Sequence, residues 1–131
     1  TGMQSEIESI KRLKNPKDKV SCHYLINRKG KILQMVRDRN IAWHAGKSKW
    51  KNDINLNSKS IGIELVNTGN EAFPNAQIKS LVKLLLILKK NYHINPNCVL
   101  GHQDIAPKRK IDPGPNFPWK ILYNKSLSKK R

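Results

Sequence analysis

Hydrophobic and polar positions change period several times along the chain. Ile7, Ile10 and Leu13 recur at helical spacing. Ser5 stands before them with Glu8 three positions on, the form of a capping box, and Asn15-Pro16 should end that helix. Residues 20–28 are rich in strand formers, Lys29-Gly30 is a turn signal, and 31–37 reads as the second arm of a hairpin. Residues 44–60 are polar throughout and predict a long loop, the kind of segment that is usually functional or mobile. Residues 60–66 return to an apolar strand. Phe73-Pro74-Asn75 opens the clearest helix, with Ile78, Leu81, Val82, Leu85, Leu88 and Tyr92 on one face. Val99-Leu100 reads as a short buried strand leading into His102, and after Trp119 the chain is expected to fray. Helices and strands interleave, so the predicted fold class is α/β with a central sheet.

The length of 131 residues suits one domain, and a hydrophobic content of 37% allows one core. No apolar run approaches the ~20 residues of a membrane helix. The first residue is Thr, so targeting is not legible from this stretch. Cys22 and Cys98 both lie in apolar contexts and are expected to be buried free thiols. They are too few for a disulfide framework and lack the CxxC spacing of a structural zinc site. The net charge of +17 attracts polyanions in general: nucleic acid, anionic lipid or carboxylate-rich cell wall. No arginine-rich helix, aromatic RNA-binding signature or zinc finger accompanies it, so no specific nucleic-acid partner is expected.

Candidate chemistry gathers in four segments. His102 and Asp112 flank a cationic loop closed by Pro113-Gly114-Pro115, and a neutral imidazole with a carboxylate suits zinc. Taken singly, His102 is more often a satisfied structural histidine, and Asp112 before Pro113 is an ordinary turn residue. Lys110 lies two positions from Asp112, which in extended chain puts both side chains on one face, where an ammonium can stabilise an oxyanion. Glu64, in Ile61-Gly62-Ile63-Glu64-Leu65-Val66, shares a face with Gly62 and Val66. That face is either solvated or directs an acid into a cleft as a general base. Trp43-His44-Ala45-Gly46 joins an aromatic wall to a hydrogen-bonding imidazole, although Trp43 would serve equally as core. His23 reads as structural, and His93 as the cationic end of the long helix.

Ser21-x-His23-Tyr24-Leu25-Ile26, Ala42-Trp43-His44-Ala45-Gly46, Ser60-Ile61-Gly62-Ile63-Glu64-Leu65, Gly101-His102-x-Asp104-Ile105-Ala106-Pro107-x-Arg109-Lys110-x-Asp112-Pro113-Gly114-Pro115 and Phe117-Pro118-Trp119 occur in this order. With these blocks the chain closely resembles the bacterial type-2 zinc N-acetylmuramoyl-L-alanine amidases, relatives of the animal peptidoglycan recognition proteins. The likeness extends over residues 1–120 and is to envelope and recycling members that accept anhydromuramyl or intact muropeptides. It implies a mixed central sheet flanked by helices. The implied reaction cuts the amide between the lactyl group of N-acetylmuramic acid and L-alanine of peptidoglycan or muropeptides.

By the same resemblance, His102 and Asp112 match two ligands of a Zn2+ cofactor. Glu64 matches the acid that activates water, and Lys110 the lysine that stabilises the oxyanion. Trp43 and His44 match a block beside the substrate groove. The family's first zinc-ligand histidine and first core strand are expected upstream of Thr1, in a longer parent protein. Residues 1–120 then form the catalytic domain and 121–131 a basic tail. A monomer is expected, at the cell envelope or periplasm, with the cytoplasm as the alternative for a recycling role. A non-catalytic peptidoglycan-binding module is the rival reading.

Overall fold

The structure, a computed structural model, describes residues 6–14 and 20–127. The capping-box residue Ser5 and the Asn15-Pro16 stop lie outside the described residues. Helix α1 spans Glu6–Lys14, and its Leu13 is buried whereas Ile7 faces solvent. A three-stranded sheet follows, in the order β2-β1-β3, formed by β1 (Tyr24–Ile26), β2 (Ile32–Gln34) and β3 (Ile63–Leu65). β1 pairs antiparallel with β2 and parallel with β3, so the sheet is mixed.

The hairpin between β1 and β2 is built by Asn27. Its buried side-chain oxygen accepts the amides of Lys29 at 3.0 Å and Lys31 at 2.8 Å. Gly30 closes the turn at φ +89°, and a Cβ there would lie 2.6 Å from the Ala76 carbonyl oxygen. The turn thus abuts the first residues of the long helix, and only glycine satisfies both the backbone and the contact.

Helix α2 spans Asn75–Tyr92 and lies on one face of the sheet. Ile78, Leu81, Leu84, Leu85 and Leu88 bury against Ile26 and Leu65. The other face of the sheet carries Leu25 and Val66, covered by Cys22 and Leu13 of α1. Apolar material therefore packs on both faces, as expected when a parallel pair is sandwiched between helices. Gln77 joins these layers: its buried amide donates to the carbonyls of Ile26 (3.0 Å) and Val66 (3.2 Å), where β1 and β3 end. Tyr92, expected on the apolar face, is instead half exposed and donates its hydroxyl to Asp38 at 2.7 Å. His93 closes the helix in the left-handed region at φ 53°.

Two further expectations are corrected at the C-terminal side. Val99-Leu100 forms no strand; it follows a 3₁₀ turn at Pro96–Cys98 and is partly buried. The chain beyond Trp119 does not fray at once. Helix α3 covers His102–Ile105, and α4 (Trp119–Leu122) runs on into a π-helical turn at Tyr123–Leu127. Leu122 and Leu127 are almost fully buried in the cluster beneath α2, so the apolar spacing outweighs the Lys/Ser composition. The proposed basic tail at 121–131 is thus, as far as Leu127, part of the packed fold. Among the described residues no helix is long and apolar enough to cross a membrane.

Candidate active site

A cavity of about 1030 Å³ opens between β3, the 44–60 loop and the 101–114 segment. Its lining includes His44, Glu64, His102, Lys110 and Asp112. Trp43 is not among the lining residues; its side chain is about half exposed and points elsewhere. The expected aromatic wall is supplied instead by Trp50, Phe117 and Trp119, which do line the cavity.

His102 begins α3 rather than ending a strand. Gly101 brings it close to Asp112, because a Cβ on Gly101 would lie 2.5 Å from Pro113 Cδ. The Gln103 amide then donates to the Asp112 carbonyl at 2.8 Å, closing the loop. Asp104, quoted in the motif without a role, caps the turn by accepting the Gly101 amide at 2.8 Å. Ala106 accepts the amides of Arg109 and Lys110, which fixes the cationic loop. Ile111 is 80% exposed while Lys110 and Asp112 on either side are half-buried, as two-residue alternation requires.

The imidazole of His102 has a defined tautomer. Its Nε2 lies 2.9 Å from the Ala45 carbonyl oxygen, which can only accept, so Nε2 carries the hydrogen. Nδ1 therefore faces the Asp112 carboxylate, 3.4 Å from Oδ2. Two ligands of a tetrahedral zinc, each roughly 2.0–2.2 Å from the metal, lie about 3.3–3.5 Å apart. The pair fits that spacing, and the carbonyl behind Nε2 is the usual outer partner of a ligating histidine. In the protonated ring Nδ1 also carries a hydrogen and can donate it to Asp112, and this bond raises the pKa of His102 against the effect of burial. Burial acts to raise that of Asp112, but the bond and charge of His102 outweigh it and the carboxyl is lowered. Among the described residues no cluster of three or more metal-binding side chains occurs.

Glu64 sits on β3 opposite Leu25. It is not on a solvated face, because Val66 and Leu25 on that face are buried. Burial pushes its carboxyl pKa up, with Asp112 adding to the rise and His102 and Lys110 opposing it. The acid thus feels both members of the His-Asp pair and the Lys110 ammonium.

His44 lies deeper. The Ser60 hydroxyl commits its hydrogen to the Leu56 carbonyl at 2.6 Å, so in the 3.3 Å contact with His44 Nε2 the ring nitrogen donates. Burial first, then the neighbouring His23, lowers the His44 pKa to about 4, so the ring is neutral at pH 7. His23 is structural, as the sequence suggested. Its Nε2 donates to the Asn40 carbonyl at 2.7 Å, and its Nδ1 accepts the Gly62 amide at 3.1 Å. That second bond fixes the start of the strand that carries Glu64.

Three residues matter here that no local pattern revealed. Asn57 accepts the amides of His44 (3.1 Å) and Ala45 (2.8 Å) through Oδ1. Arg109 donates to the carbonyls of Ala45 and Lys47, both at 2.9 Å. Ser21 accepts the Trp43 amide, which gives that segment a fixed backbone even though the indole is outside the cavity. Only Arg109 and Ser21 lie inside motifs visible in the sequence, and neither had an assigned role.

A mixed sheet of α/β class thus brings a His-Asp pair, an acid and a lysine to one cavity. The family model for N-acetylmuramoyl-L-alanine amidase (Amidase_2) matches residues 1–115. The chain is 43% identical over 124 residues to the N-acetylmuramoyl-L-alanine amidase AmiD of Escherichia coli K12, covering 82% of this chain and 45% of that protein. It is 44% identical over 102 residues to the 1,6-anhydro-N-acetylmuramyl-L-alanine amidase AmpD of Haemophilus influenzae, covering 77% and 55% respectively. Among solved structures, E. coli AmiD in complex with anhydro-N-acetylmuramic acid-L-Ala-D-gamma-Glu-L-Lys superposes with a TM-score of 0.87 at 39% identity, over 92% of this chain and 52% of that one. AmpDh3 of Pseudomonas aeruginosa in complex with an anhydromuramic pentapeptide gives 0.86 at 36% identity, over 92% and 55%. The chain belongs to the N-acetylmuramoyl-L-alanine amidase family of the Amidase_2 type, and it spans about half the length of the relatives it matches.

Proposed function

We propose that this chain carries the catalytic site of a zinc amidase that hydrolyses the lactyl–L-alanine amide of anhydromuropeptides or peptidoglycan. The observation that carries this reading is the convergence of His102 Nδ1 and Asp112 Oδ2 at 3.4 Å, beside Glu64 and Lys110 in one cavity. His102 and Asp112 would hold the zinc, with a further ligand from outside the described residues. Zinc bound there would supply Lewis acidity, polarising the amide carbonyl and making water acidic near neutral pH. Glu64, with its raised pKa, takes a proton from the attacking water and returns it to the departing alanine nitrogen. Lys110 holds its ammonium where the carbonyl oxygen gains charge. Water adds to the carbonyl carbon, the C–N bond breaks, and the products are the muramic acid carboxylate and a peptide with a free L-alanine amine. His44, neutral and half-buried in the lining, offers the substrate a polar contact.

Two relatives were solved with anhydromuramyl peptides, which supports that substrate class. We place the activity at the cell envelope, where an anionic polymer complements a charge of +17. The second reading is a peptidoglycan-binding module without turnover, which would use the same cavity.

One experiment separates the two. The full-length protein is analysed for zinc and incubated with an anhydromuramyl tripeptide, and products are followed by mass spectrometry. Bound zinc and release of a peptide beginning with L-alanine, abolished by chelation and restored by zinc, are expected. Substrate binding without cleavage would establish the binding module instead.

A further inference from the structure

The Ala45 carbonyl oxygen is shared. It accepts His102 Nε2–H at 2.9 Å and Arg109 Nη2–H at 2.9 Å. The same guanidinium donates to the Lys47 carbonyl through Nη2 at 2.9 Å and Nε at 3.3 Å. It therefore bridges two carbonyls on either side of Gly46. Gly46 has φ +61°, and a Cβ there would lie 2.8 Å from Arg109 Nη2. Asn57 grips the same stretch from its other side, through the amides of His44 and Ala45. No strand ladder holds residues 44–49. The direction of the Ala45 carbonyl, and hence of the His102 ring, depends on these side chains.

We propose that Arg109 is a positioning residue for the His102–Asp112 pair: by clamping the Ala45 and Lys47 carbonyls it aims His102 Nδ1 at Asp112. The inference rests on the zinc reading above. A planar guanidinium reaches both carbonyls at once from fixed donors, which a lysine ammonium does not reproduce. Arg109 and Lys110 are adjacent in sequence yet divide the work. Arg109 holds the loop from which His102 takes its orientation, and Lys110 meets the substrate.

The test uses the full-length protein and the variants Arg109→Gln, Arg109→Lys and Gly46→Ala. Gly46→Ala unseats the guanidinium while leaving its charge in place, and the backbone cost of a Cβ at φ +61° is read separately in Gly46→Ala made on the Arg109→Gln background. Three quantities are measured: zinc affinity by competition with a chromophoric chelator, the visible spectrum of the Co2+-substituted protein, and Tm. Arg109→Gln should weaken zinc binding by up to ~10-fold, the lower end of what losing the carbonyl partner of His102 itself would cost. It should also change the cobalt spectrum. Arg109→Lys should recover only part of the affinity. Gly46→Ala should reproduce the loss, and the double variant should be little worse than either single one, because both act through one contact. If Arg109→Gln does not fold, Gly46→Ala and Arg109→Lys carry the same comparison. Unchanged affinity and spectrum with a lowered Tm would overturn the proposal and leave Arg109 a brace for the loop. A parent protein that binds no zinc would overturn the functional reading itself, and this inference with it.

Discussion

Gly62 lies against the imidazole of His44 so closely that a Cβ built on it would stand 2.3 Å from His44 Cγ and 2.6 Å from its Cβ. The backbone of Gly62 is meanwhile locked. Its carbonyl accepts the amides of His23 (3.0 Å) and Tyr24 (3.2 Å), and its amide donates to His23 Nδ1. Gly62 therefore cannot retreat from the ring without breaking one of these bonds, so room for a Cβ has to come from a shift of His44. Gly62→Ala should destabilise the fold by about 1–3 kcal/mol, the usual cost of overpacking. Urea denaturation should show a lower midpoint with an unchanged slope; a midpoint equal to the parent's would mean that His44 swings away freely.

The depressed pKa of His44 has a pH signature. Its folded value is about 4 against 6.5 for the free side chain. Between those values the unfolded chain binds a proton that the folded chain does not, so stability rises with pH through this window. Acidification from pH 6.5 to 4 should remove at most about 3 kcal/mol through this group. Replacing His44 with Gln should flatten the dependence of unfolding free energy on pH relative to the parent. Parallel curves for the two proteins would show the ring to be hydrated in solution.

Glu64→Gln keeps the size of the side chain and removes its basicity. Zinc content should persist while turnover of an anhydromuramyl tripeptide drops ~10²–10⁴-fold. Near-parental rates would make Glu64 a structural acid.

Lys110→Met should lower kcat ~10²–10³-fold with little change in KM, because the ammonium matters most once the oxygen carries charge. Steady-state kinetics over a range of substrate decides this. An effect confined to KM would assign Lys110 to a ground-state carboxylate of the stem peptide.

The charge of +17 should act at long range. Retention on insoluble cell wall should fall steeply as salt approaches physiological strength, where the screening length is about 8 Å. Hydrolysis of a small soluble muropeptide should change much less over the same salt series. Wall binding indifferent to salt would leave the basic surface without a part in recruitment.

Strand-former composition and the Lys29-Gly30 turn made the hairpin legible, and apolar spacing did so for β3 and α2. The grouping of Glu64, His102, Lys110 and Asp112 in one cavity was legible from motif order. The contacts that aim them were not. Asn57 on Ala45, Arg109 across Gly46 and Gln77 between two strand ends are hydrogen bonds between distant segments, and no local pattern encodes them. Trp43 is not among the lining residues of the cavity. Its backbone is tied down by Ser21, so the segment is well placed although the indole is outside the cavity. Residues 119–127 looked frayed because lysines and serines masked Leu122 and Leu127, which pack beneath α2.

The two cysteines turn out to be chemically unequal. Cys22 has no solvent exposure, and burial above all raises the pKa of its thiol, so a reagent that needs the thiolate finds it both unreachable and protonated. Cys98 is exposed and is one of the residues lining the cavity. Of the two thiols in this sequence, a dye or spin label would therefore go to Cys98 and leave Cys22 untouched. A maleimide fluorophore on Cys98 would turn the cavity lining itself into a reporter of whatever enters it.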